Sequence, residues 1–478
     1  MFEVTAKLKR FAYILIAVGV LALGYGFIAD AHRAWPALMV NNIFFLGISL
    51  IGTFFLGIQY IAQAGWSVQV NRIMQAMGSF LPITGGIMIV IIVAGGMHLH
   101  HMYHWMDTFI TTEEVTVAEL REHEAAMMHH GGGHGEEAHG EEAHGDDHGE
   151  EAQGDDHGDG HGEEAHHNSH GEEAHGEDHG GGHHMYAADY EGIDGEEVIE
   201  NPHYDSIIAG KTPFLNFGFF IIRAIIYLLG WIWATRLLRK LSIREDEVGG
   251  MDNYRKSVKI SAIFTVFFAV TSSTMAWDWI MSIDTHWFST LFGWYVFASM
   301  FVSGLTVMTM IAVYLKRHGY LENLNENHIH DLGKFMFAFS VFWTYLWFSQ
   351  FMLIWYANIP EEVTYYMARF DDYKVPFFMA LVLNFIMPLL VLMSRDSKRN
   401  FGFLITAGII ILFGHWLDFF CMIMPGTMKD GWHLGIVELG GLAGYAGLFI
   451  LVVFNTLSKA PLIQKNHPML KESELHHI

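Results

Sequence analysis

Ten apolar segments, each about twenty residues long, constrain the fold of this chain more than any other feature. A helix needs roughly 20 residues to cross the about 30 Å of hydrocarbon in a bilayer, and inside the hydrocarbon a helix satisfies its own backbone polar groups. We therefore predict an all-α polytopic membrane protein. The ten expected spans are 11–30, 43–62, 82–102, 214–235, 258–280, 291–314, 335–357, 375–394, 401–424 and 432–456.

Lysine and arginine are distributed unequally between the loops that join these segments. If the N-terminus is cytoplasmic, the inner loops and tails hold 20 of the 27 basic residues, the outer loops hold 6, and Arg223 lies within a span. Cytoplasmic loops of membrane proteins carry such an excess. Both termini are therefore expected in the cytoplasm, and the even number of spans agrees with that orientation.

One segment carries most of the acidity of the chain. Residues 111–200 contain 28 of the 51 acidic residues and a single basic one, and sixteen histidines lie between His123 and His184. We divide the chain into 1–110 with spans one to three, the His/Gly/acid-rich low-complexity periplasmic insert 111–200, 201–457 with spans four to ten, and a cytoplasmic tail, 458–478. Outside the insert the formal charge is close to neutral, which argues against a nucleic-acid partner.

The insert repeats units such as His134-Gly-Glu-Glu-Ala-His139 and has almost no apolar residues in its core. Nothing there compensates the entropy of ordering the chain. We favour a solvated loop that binds metals weakly, and a dedicated site for Zn²⁺, Cu²⁺ or Ni²⁺ is the alternative.

The only cysteine, Cys421, lies inside an apolar segment. A single cysteine excludes an internal disulfide, a Cys-ligated iron–sulfur cluster and a CxxCH haem attachment. We expect no cofactor bound by this chain itself.

The stretch 274–294 joins the fifth and sixth spans on the outer side. Its ionisable residues Asp278, Asp284 and His286 stand among four tryptophans. Tryptophan prefers the membrane–water interface, where its ring is in an apolar layer and its N–H finds a partner. The stretch is therefore expected to be a short, ordered interfacial turn with titratable groups beneath it.

Four further ionisable residues fall within the spans: Arg223, His415, Asp418 and Glu438. Such residues are costly in hydrocarbon and are functional candidates by default. His415 and Asp418 share one helical face. If spans five, nine and ten are neighbours, Asp278 and Glu438 join them in one cluster that is open to the outer side.

Two hypotheses for these groups stay open. One is a proton path through Asp278, Asp284, His286, His415, Asp418 and Glu438. The other is a set of structural hydrogen bonds that fix helix packing. Arg223 requires a buried acid, for which Asp278 and Asp418 are the candidates, and Gln59, Gln350 and Asn384 are expected to make bonds between helices.

The third span ends in a histidine-rich run. On a helix His98, His101 and His104 would follow one another at i and i+3 along one face. They are weak candidates for a metal or haem ligand set, and an interfacial cap before the insert is the favoured interpretation.

Three blocks of sequence resemble a known family. They are 274–294, Gly65-Trp-Ser-Val68 and His415-Trp-Leu-Asp-Phe-Phe-Cys-Met-Ile-Met-Pro-Gly426. They are similar to the ActF group of NrfD/PsrC-like membrane subunits of bacterial alternative complex III, a quinol:cytochrome c oxidoreductase. The similarity covers nearly all the apolar chain but not 111–200. It implies two four-helix bundles plus two further helices in the bacterial inner membrane.

The resemblance also implies partners. These are a sister NrfD-like subunit that holds quinol, an iron–sulfur subunit, c-type cytochromes that carry haem c, and a terminal oxidase. It implies a structural and proton-conducting role rather than catalysis. Three alternatives stay open: quinone binding by this chain, transport of divalent metals, and a b-type cytochrome, which would need facing histidines at matched depth.

Overall fold

A computed structural model describes residues 2–130, 190, 193–429 and 431–476 of the protein. Ten helices in this part of the chain are long and apolar enough to cross a bilayer. The prediction of an all-α, multi-pass membrane protein with ten spans is confirmed. The core of the His-rich repeats, residues 131–189, lies outside the described residues, and so do the predictions made for it.

The elements follow one another as α1 Ala6–Ala29, α2 Ala31–Ile61, α3 Asn71–Met77, α4 Leu81–Gly96, β1 Glu114–Thr116, α5 Val117–His130, β2 Val198–Glu200, α6 Ser206–Lys211, α7 Phe217–Val248, α8 Asp252–Trp279, α9 Phe292–Arg317, α10 Glu326–Ala357, α11 Pro360–Asp371, α12 Lys374–Leu381, α13 Met387–Leu392, α14 Phe401–Met428, α15 Ile436–Leu457 and α16 Leu470–Glu474. A π-helical segment, Val382–Ile386, joins α12 to α13 within the eighth span.

Several helices extend well beyond the apolar segments. The second begins at Ala31 rather than near 43, α7 continues to Val248, and α10 begins at Glu326. Hydropathy detects only the part of a helix that faces hydrocarbon, whereas polar residues continue the same helix into the interface. The number of spans was therefore predictable, and their lengths were not.

The helices are grouped around α2, which is buried along most of its length. Helices α2, α4, α7 and α8 pack together as one bundle, and α9, α10, α12 with α13, and α14 pack as a second. The remaining spans, α1 and α15, pack tightly against each other and against α2. This arrangement agrees with the expected two four-helix bundles plus two helices.

The pair α1 and α15 crosses at glycines. A Cβ added to Gly19 would come within 2.3 Å of the Gly444 Cα, and a Cβ added to Gly440 within 2.2 Å of the Ala22 Cβ. Small residues allow membrane helices to approach this closely, and van der Waals packing then stabilises the pair.

Replacing Gly19 with leucine should therefore separate α1 from α15, at a cost of about 3 kcal/mol or more because backbone atoms cannot move aside as side chains can. The measurement is the thermal midpoint of the purified protein in detergent. Gly24→Leu is the matched control on the same helix, since a Cβ there meets no atom within 4 Å. Equal midpoints for the two variants would contradict this account of the crossing.

Residues 109–205 form a separate compact unit, of which the two ends are described. Strands β1 and β2 pair antiparallel, with Val115 opposite Ile199. Val115, Val117 and Leu120 are buried. The ends of the segment predicted as low-complexity insert, 111–200, thus have regular structure, because apolar residues there bury surface that the repeats do not have.

The C-terminal segment 458–476 runs across the predicted inner face of the helical unit. Gln464 accepts a hydrogen bond from Asn71 at 2.9 Å, and the Ser473 hydroxyl donates to the Trp66 carbonyl oxygen at 3.0 Å. At its end His476 contacts Asp331 of α10 at 2.7 Å. The segment therefore ties together the inner ends of both bundles, and the Gly65–Val68 block is one of its attachment points.

His467 makes this attachment sensitive to pH. Its ring lies between those of Tyr60 and Tyr254, and burial lowers the pKa of His467 to about 4. A histidine whose pKa is lower in the folded than in the unfolded state stabilises the fold above its unfolded pKa of about 6.5, and that stability is lost as the pH falls towards the folded value.

At about pH 5.5 the attachment of segment 458–476 should be about 1.4 kcal/mol less stable than above pH 6.5. This is a tenfold change in the equilibrium between its attached and open forms. Cleavage by endoproteinase Glu-C after Glu472 and Glu474 measures that opening. The variant His467→Phe, compared at each pH, should show a smaller rise, because it removes one of the two buried histidines at this attachment; the other, His328, contacts Ser473. Identical pH profiles for the two proteins would rule out His467 as the cause.

Candidate functional site

Asp418 lies at the centre of the second bundle and is 1% exposed. Three side chains donate hydrogen bonds to its carboxylate. The Tyr295 hydroxyl of α9 donates to Oδ1, and the Ser299 hydroxyl of α9 and Trp343 Nε1 of α10 each donate to Oδ2 at 2.9 Å. In the part of the chain that the structure describes, no lysine or arginine forms an ion pair with this carboxylate.

His415 is joined to Asp418 through Ser299. The Ser299 oxygen lies 2.9 Å from His415 Nδ1. Because the Ser299 hydroxyl donates to Asp418, it accepts from Nδ1–H, and Nε2 is then the basic nitrogen of the ring. Nε2 is buried and has no hydrogen-bond partner within the described ranges. The predicted common face of His415 and Asp418 is therefore confirmed, with a serine as the link.

The eighth span brings a further polar group to the same depth. Asn384 lies in the π-helical segment, and a Cβ added to Gly414 would come within 2.2 Å of Asn384 Oδ1. A glycine before His415 thus leaves room for this amide. Both polar atoms of Asn384, and both of Gln350, have no hydrogen-bond partner among the residues that can be described. The hydrogen bonds between helices that were predicted for these two residues are therefore absent there. The π-helical segment is a second unusual feature, since such segments are frequent at functional sites.

A narrow polar neck leads from Asp418 to the predicted outer face. Tyr295, Tyr365, Arg369 and Gln350 line a cavity of about 10 Å³, which is at the lower limit for one water molecule. Tyr365 stacks on Trp287 with 3.8 Å between ring centroids. The neck is therefore lined by residues of the second bundle and α11, and the interfacial turn packs against it through Trp287.

Arg369 is a fixed positive charge in this neck. It is 2% exposed and donates to the carbonyl oxygens of Tyr365 at 2.7 Å and Cys421 at 3.1 Å, with its guanidinium carbon 3.2 Å from the centre of the Tyr365 ring. Burial acts to lower the pKa of Arg369, but Tyr365, Asp284 and other neighbours outweigh it, and the pKa is raised. Arg369 therefore stays charged at any physiological pH.

Outside the neck lies a cavity of about 500 Å³. It is lined by Asp284, His286, His101 and His104, and by Arg369, whose Nη2 lies 3.4 Å from Asp284 Oδ2. Two of the predicted path residues, Asp284 and His286, are thus at the mouth of the neck. We call the series Asp284, Arg369, Tyr365, Tyr295, Asp418, Ser299, His415 and Asn384 the outer polar column.

Asp278 is not part of this column. Its carboxylate makes a bidentate pair with Arg223, at 2.8 Å for both bonds, and accepts a third hydrogen bond from Tyr227 at 3.0 Å. Phe214 and Phe219 pack against the guanidinium. Of the two predicted partners of Arg223, Asp278 is therefore the one in contact, and Asp418 is not.

Glu438 is also separate from Asp418. Arg33 at the start of α2 donates to both its oxygens, at 2.6 and 2.8 Å, and the Gly435 N–H donates to it at 2.9 Å. Helix α15 begins at Ile436, so Glu438 caps the first turn instead of lying six residues into the span.

The prediction of one four-membered cluster is consequently wrong for Asp278 and Glu438. It assumed that spans five, nine and ten are neighbours. Helix α14 packs mainly against α2, α9 and α12, whereas α8 packs against α7, α2 and α9, and α15 against α1 and α2. Asp278 and Glu438 also lie in the outermost turns of their helices, whereas Asp418 lies ten residues before the end of α14.

No protein-family model matches the chain. No curated protein matches it either. The functional interpretation therefore depends on the geometry of the outer polar column and on the sequence resemblance.

The histidine run after α4 is not helical. Helix α4 ends at Gly96, and His98 has a left-handed backbone with φ of 56°. The expected shared face of His98, His101 and His104 is therefore absent, because Gly95 and Gly96 end the helix before the run. In the described ranges no three His, Cys, Asp or Glu side chains come together in a way that could hold a metal ion.

His100, between them, has a structural role. Its Nε2–H donates to the Ile91 carbonyl oxygen at 2.9 Å, and its Nδ1 accepts from the Met102 N–H at 3.4 Å, which fixes the neutral tautomer. Burial lowers the pKa of His100, in agreement with that neutral state. It satisfies a carbonyl group near the end of α4.

Sequence reasoning missed two groups. Arg369 lies between the expected spans 335–357 and 375–394, although Tyr365, Tyr366 and Arg369 follow the helical spacing of α11 after Pro360. Glu245 lies between the expected spans 214–235 and 258–280, yet it is fully buried near the inner end of α7, and its two carboxylate oxygens have no hydrogen-bond partner within the described ranges. Glu245 follows Leu238 by seven residues, which is two helical turns, and this spacing indicates that both lie on the buried face of α7.

Proposed function

We propose that this chain is a non-catalytic membrane subunit of a respiratory quinol:cytochrome c oxidoreductase of the alternative complex III type. In that assembly it supports neighbouring subunits and exchanges protons between the outer side and the membrane interior. It carries no redox centre of its own. Its partners are a sister NrfD-like subunit, an iron–sulfur subunit and c-type cytochromes in a bacterial inner membrane.

One observation carries the proton-conducting part of this proposal: of the acids in the predicted path that are buried within spans, Asp418 alone has no arginine. Asp278 and Glu438 each contact a guanidinium, Asp278 that of Arg223 and Glu438 that of Arg33. Asp418 instead has three neutral donors, which stabilise the carboxylate without fixing its charge. A buried carboxylate without a cation can gain its counter-charge as a proton.

The column also offers a route for protons, in either direction, between the outer cavity and His415. A proton can reach Tyr295 and Asp418 from the outer cavity through the small cavity at Tyr365. Ser299 then relays between Asp418 and His415, because a hydroxyl can accept from one group while it donates to the other. The basic Nε2 of His415 lies at the inner end of that relay.

Quinone binding by this chain is a second candidate, which the outer cavity favours. Its volume of about 500 Å³ is within the range of small-molecule sites, and it combines an aromatic wall at Trp287 and Tyr365 with Asp284 and His286. A quinol oxidised there could release its protons at the mouth of the column.

The test of the proposal is purification of the tagged chain from its native membrane. The expected result is co-purification of an iron–sulfur protein and c-type cytochromes, with quinol:cytochrome c activity. Optical spectra then locate the haems: the isolated chain should show no reducible haem band. Purification of the chain alone, or a haem band in it, would contradict the proposal. Quinone retained by the parent but lost in Trp287→Ala would favour the second candidate.

A further inference from the structure

An apolar crevice, separate from the outer polar column, lies between five helices. It has a volume of about 510 Å³ and is lined by residues of α1, α2, α9, α14 and α15. Every lining side chain is aliphatic, aromatic or methionine, including Phe44, Ile48, Met310, Leu412 and Phe449. A water-filled or ion-conducting role is therefore excluded by the chemistry of its wall.

The crevice has the length of one leaflet. On α15 its lining runs from Leu442 to Phe454, which are 12 residues apart and therefore about 18 Å along the helix axis. Half of the hydrocarbon thickness of a bilayer is about 15 Å. Leu8 and Tyr314 line the end that lies at the predicted inner surface. The crevice thus extends from the inner surface to about the bilayer midplane.

Basic residues flank the inner end of the crevice along the chain. Lys7, Lys9 and Arg10 lie within one helical turn of Leu8, and Lys316, which donates to the Glu322 carbonyl oxygen at 2.9 Å, and Arg317 follow Tyr314 on α9. Clusters of basic residues at the cytoplasmic surface attract acidic lipid headgroups. An apolar slot one leaflet long with a cationic mouth matches the two parts of a phospholipid.

We propose that the crevice is a binding site for an acidic phospholipid of the inner leaflet, with one acyl chain between α2, α9, α14 and α15 and the phosphate at the basic mouth. The lipid fills the space that α1, α15 and the second bundle leave beside α2. This proposal does not depend on the proposed respiratory function.

Photolabelling tests it directly. The protein, purified and reconstituted with phosphatidylglycerol that carries a photoreactive group at mid-chain, is irradiated and digested, and the labelled peptides are identified. We expect label at Met310 and Phe449, reduced at least fivefold when unlabelled phosphatidylglycerol is added in excess but not when phosphatidylcholine is added. Label spread evenly over lipid-facing positions such as Val20 would overturn the proposal.

Two sets of variants test binding of the acyl chain and recognition of the headgroup separately. Ala446→Phe, which fills the crevice, should reduce the label at Met310 at least fivefold, and Val20→Phe on the exposed face of α1 should not. Lys9→Gln with Lys316→Gln should remove the preference for the acidic lipid, whereas Lys256→Gln elsewhere on the inner surface should keep it. Co-purification of a quinone instead of a phospholipid, protected from extraction in the parent and lost in Ala446→Phe, would assign the crevice to another ligand and overturn the proposal.

Discussion

Replacing Asp418 with asparagine is expected to leave the complex assembled and to reduce proton release on the outer side at least tenfold. The amide can still accept from Ser299 and Trp343, and the Tyr295 hydroxyl can turn to accept from its NH₂ group. The loss of stability should therefore stay within about 1.5 kcal/mol. Proton transfer fails because an amide at this position cannot take up and release a proton as a carboxylate does.

The measurement uses the complex reconstituted into vesicles, with quinol oxidation and the external pH followed together. Asp418→Asn should oxidise quinol and lose proton release or its coupling to the membrane potential. Glu438→Gln is the matched control, since it also exchanges a carboxylate for an amide. It leaves Arg33 without a counter-charge, so it should lower stability while the remaining assembled complex releases protons normally. Unchanged proton release in Asp418→Asn would reduce the column to a packing feature.

The sequence predicted which segments span the membrane, but it predicted poorly which spans are neighbours. The ten spans and the shared face of His415 and Asp418 follow from hydropathy and helical periodicity, which are properties of single segments. Which helix lies beside which depends on packing surfaces spread over the chain. For that reason Asp278 and Glu438 were expected in one cluster with Asp418, although their helices are not its main neighbours.

The partners of buried charges show the same limit. That Arg223 requires a buried acid follows from the cost of a charge in hydrocarbon, and one of the two proposed acids is its partner. The partner of Glu438, Arg33, was not foreseen because the second span was expected to begin after it, near residue 43. The role of Arg369 depends on α11, a short helix in an outer loop that hydropathy does not detect.

Arg223→Leu should destabilise the protein by about 3–5 kcal/mol, since it leaves Asp278 as an uncompensated buried carboxylate. If the cost comes from that charge, Asp278→Asn added to Arg223→Leu should recover part of the loss, because the double variant buries no net charge. The coupling energy from the double-mutant cycle, measured by thermal unfolding of the purified protein, should exceed 1 kcal/mol, roughly the upper range for surface pairs.

The control adds Asp418→Asn to Arg223→Leu. Asp418 belongs to a different bundle and forms no ion pair with an arginine among the described residues, so the two effects on stability should be additive. Rescue by Asp418→Asn and not by Asp278→Asn would mean that Arg223 pairs with Asp418 in the membrane rather than with Asp278. Rescue by neither would mean that Arg223 acts through its packing against Phe214 and Phe219. In the expected case Asp278 is committed to a permanent ion pair with Arg223, whereas Asp418 forms no ion pair with an arginine among the described residues.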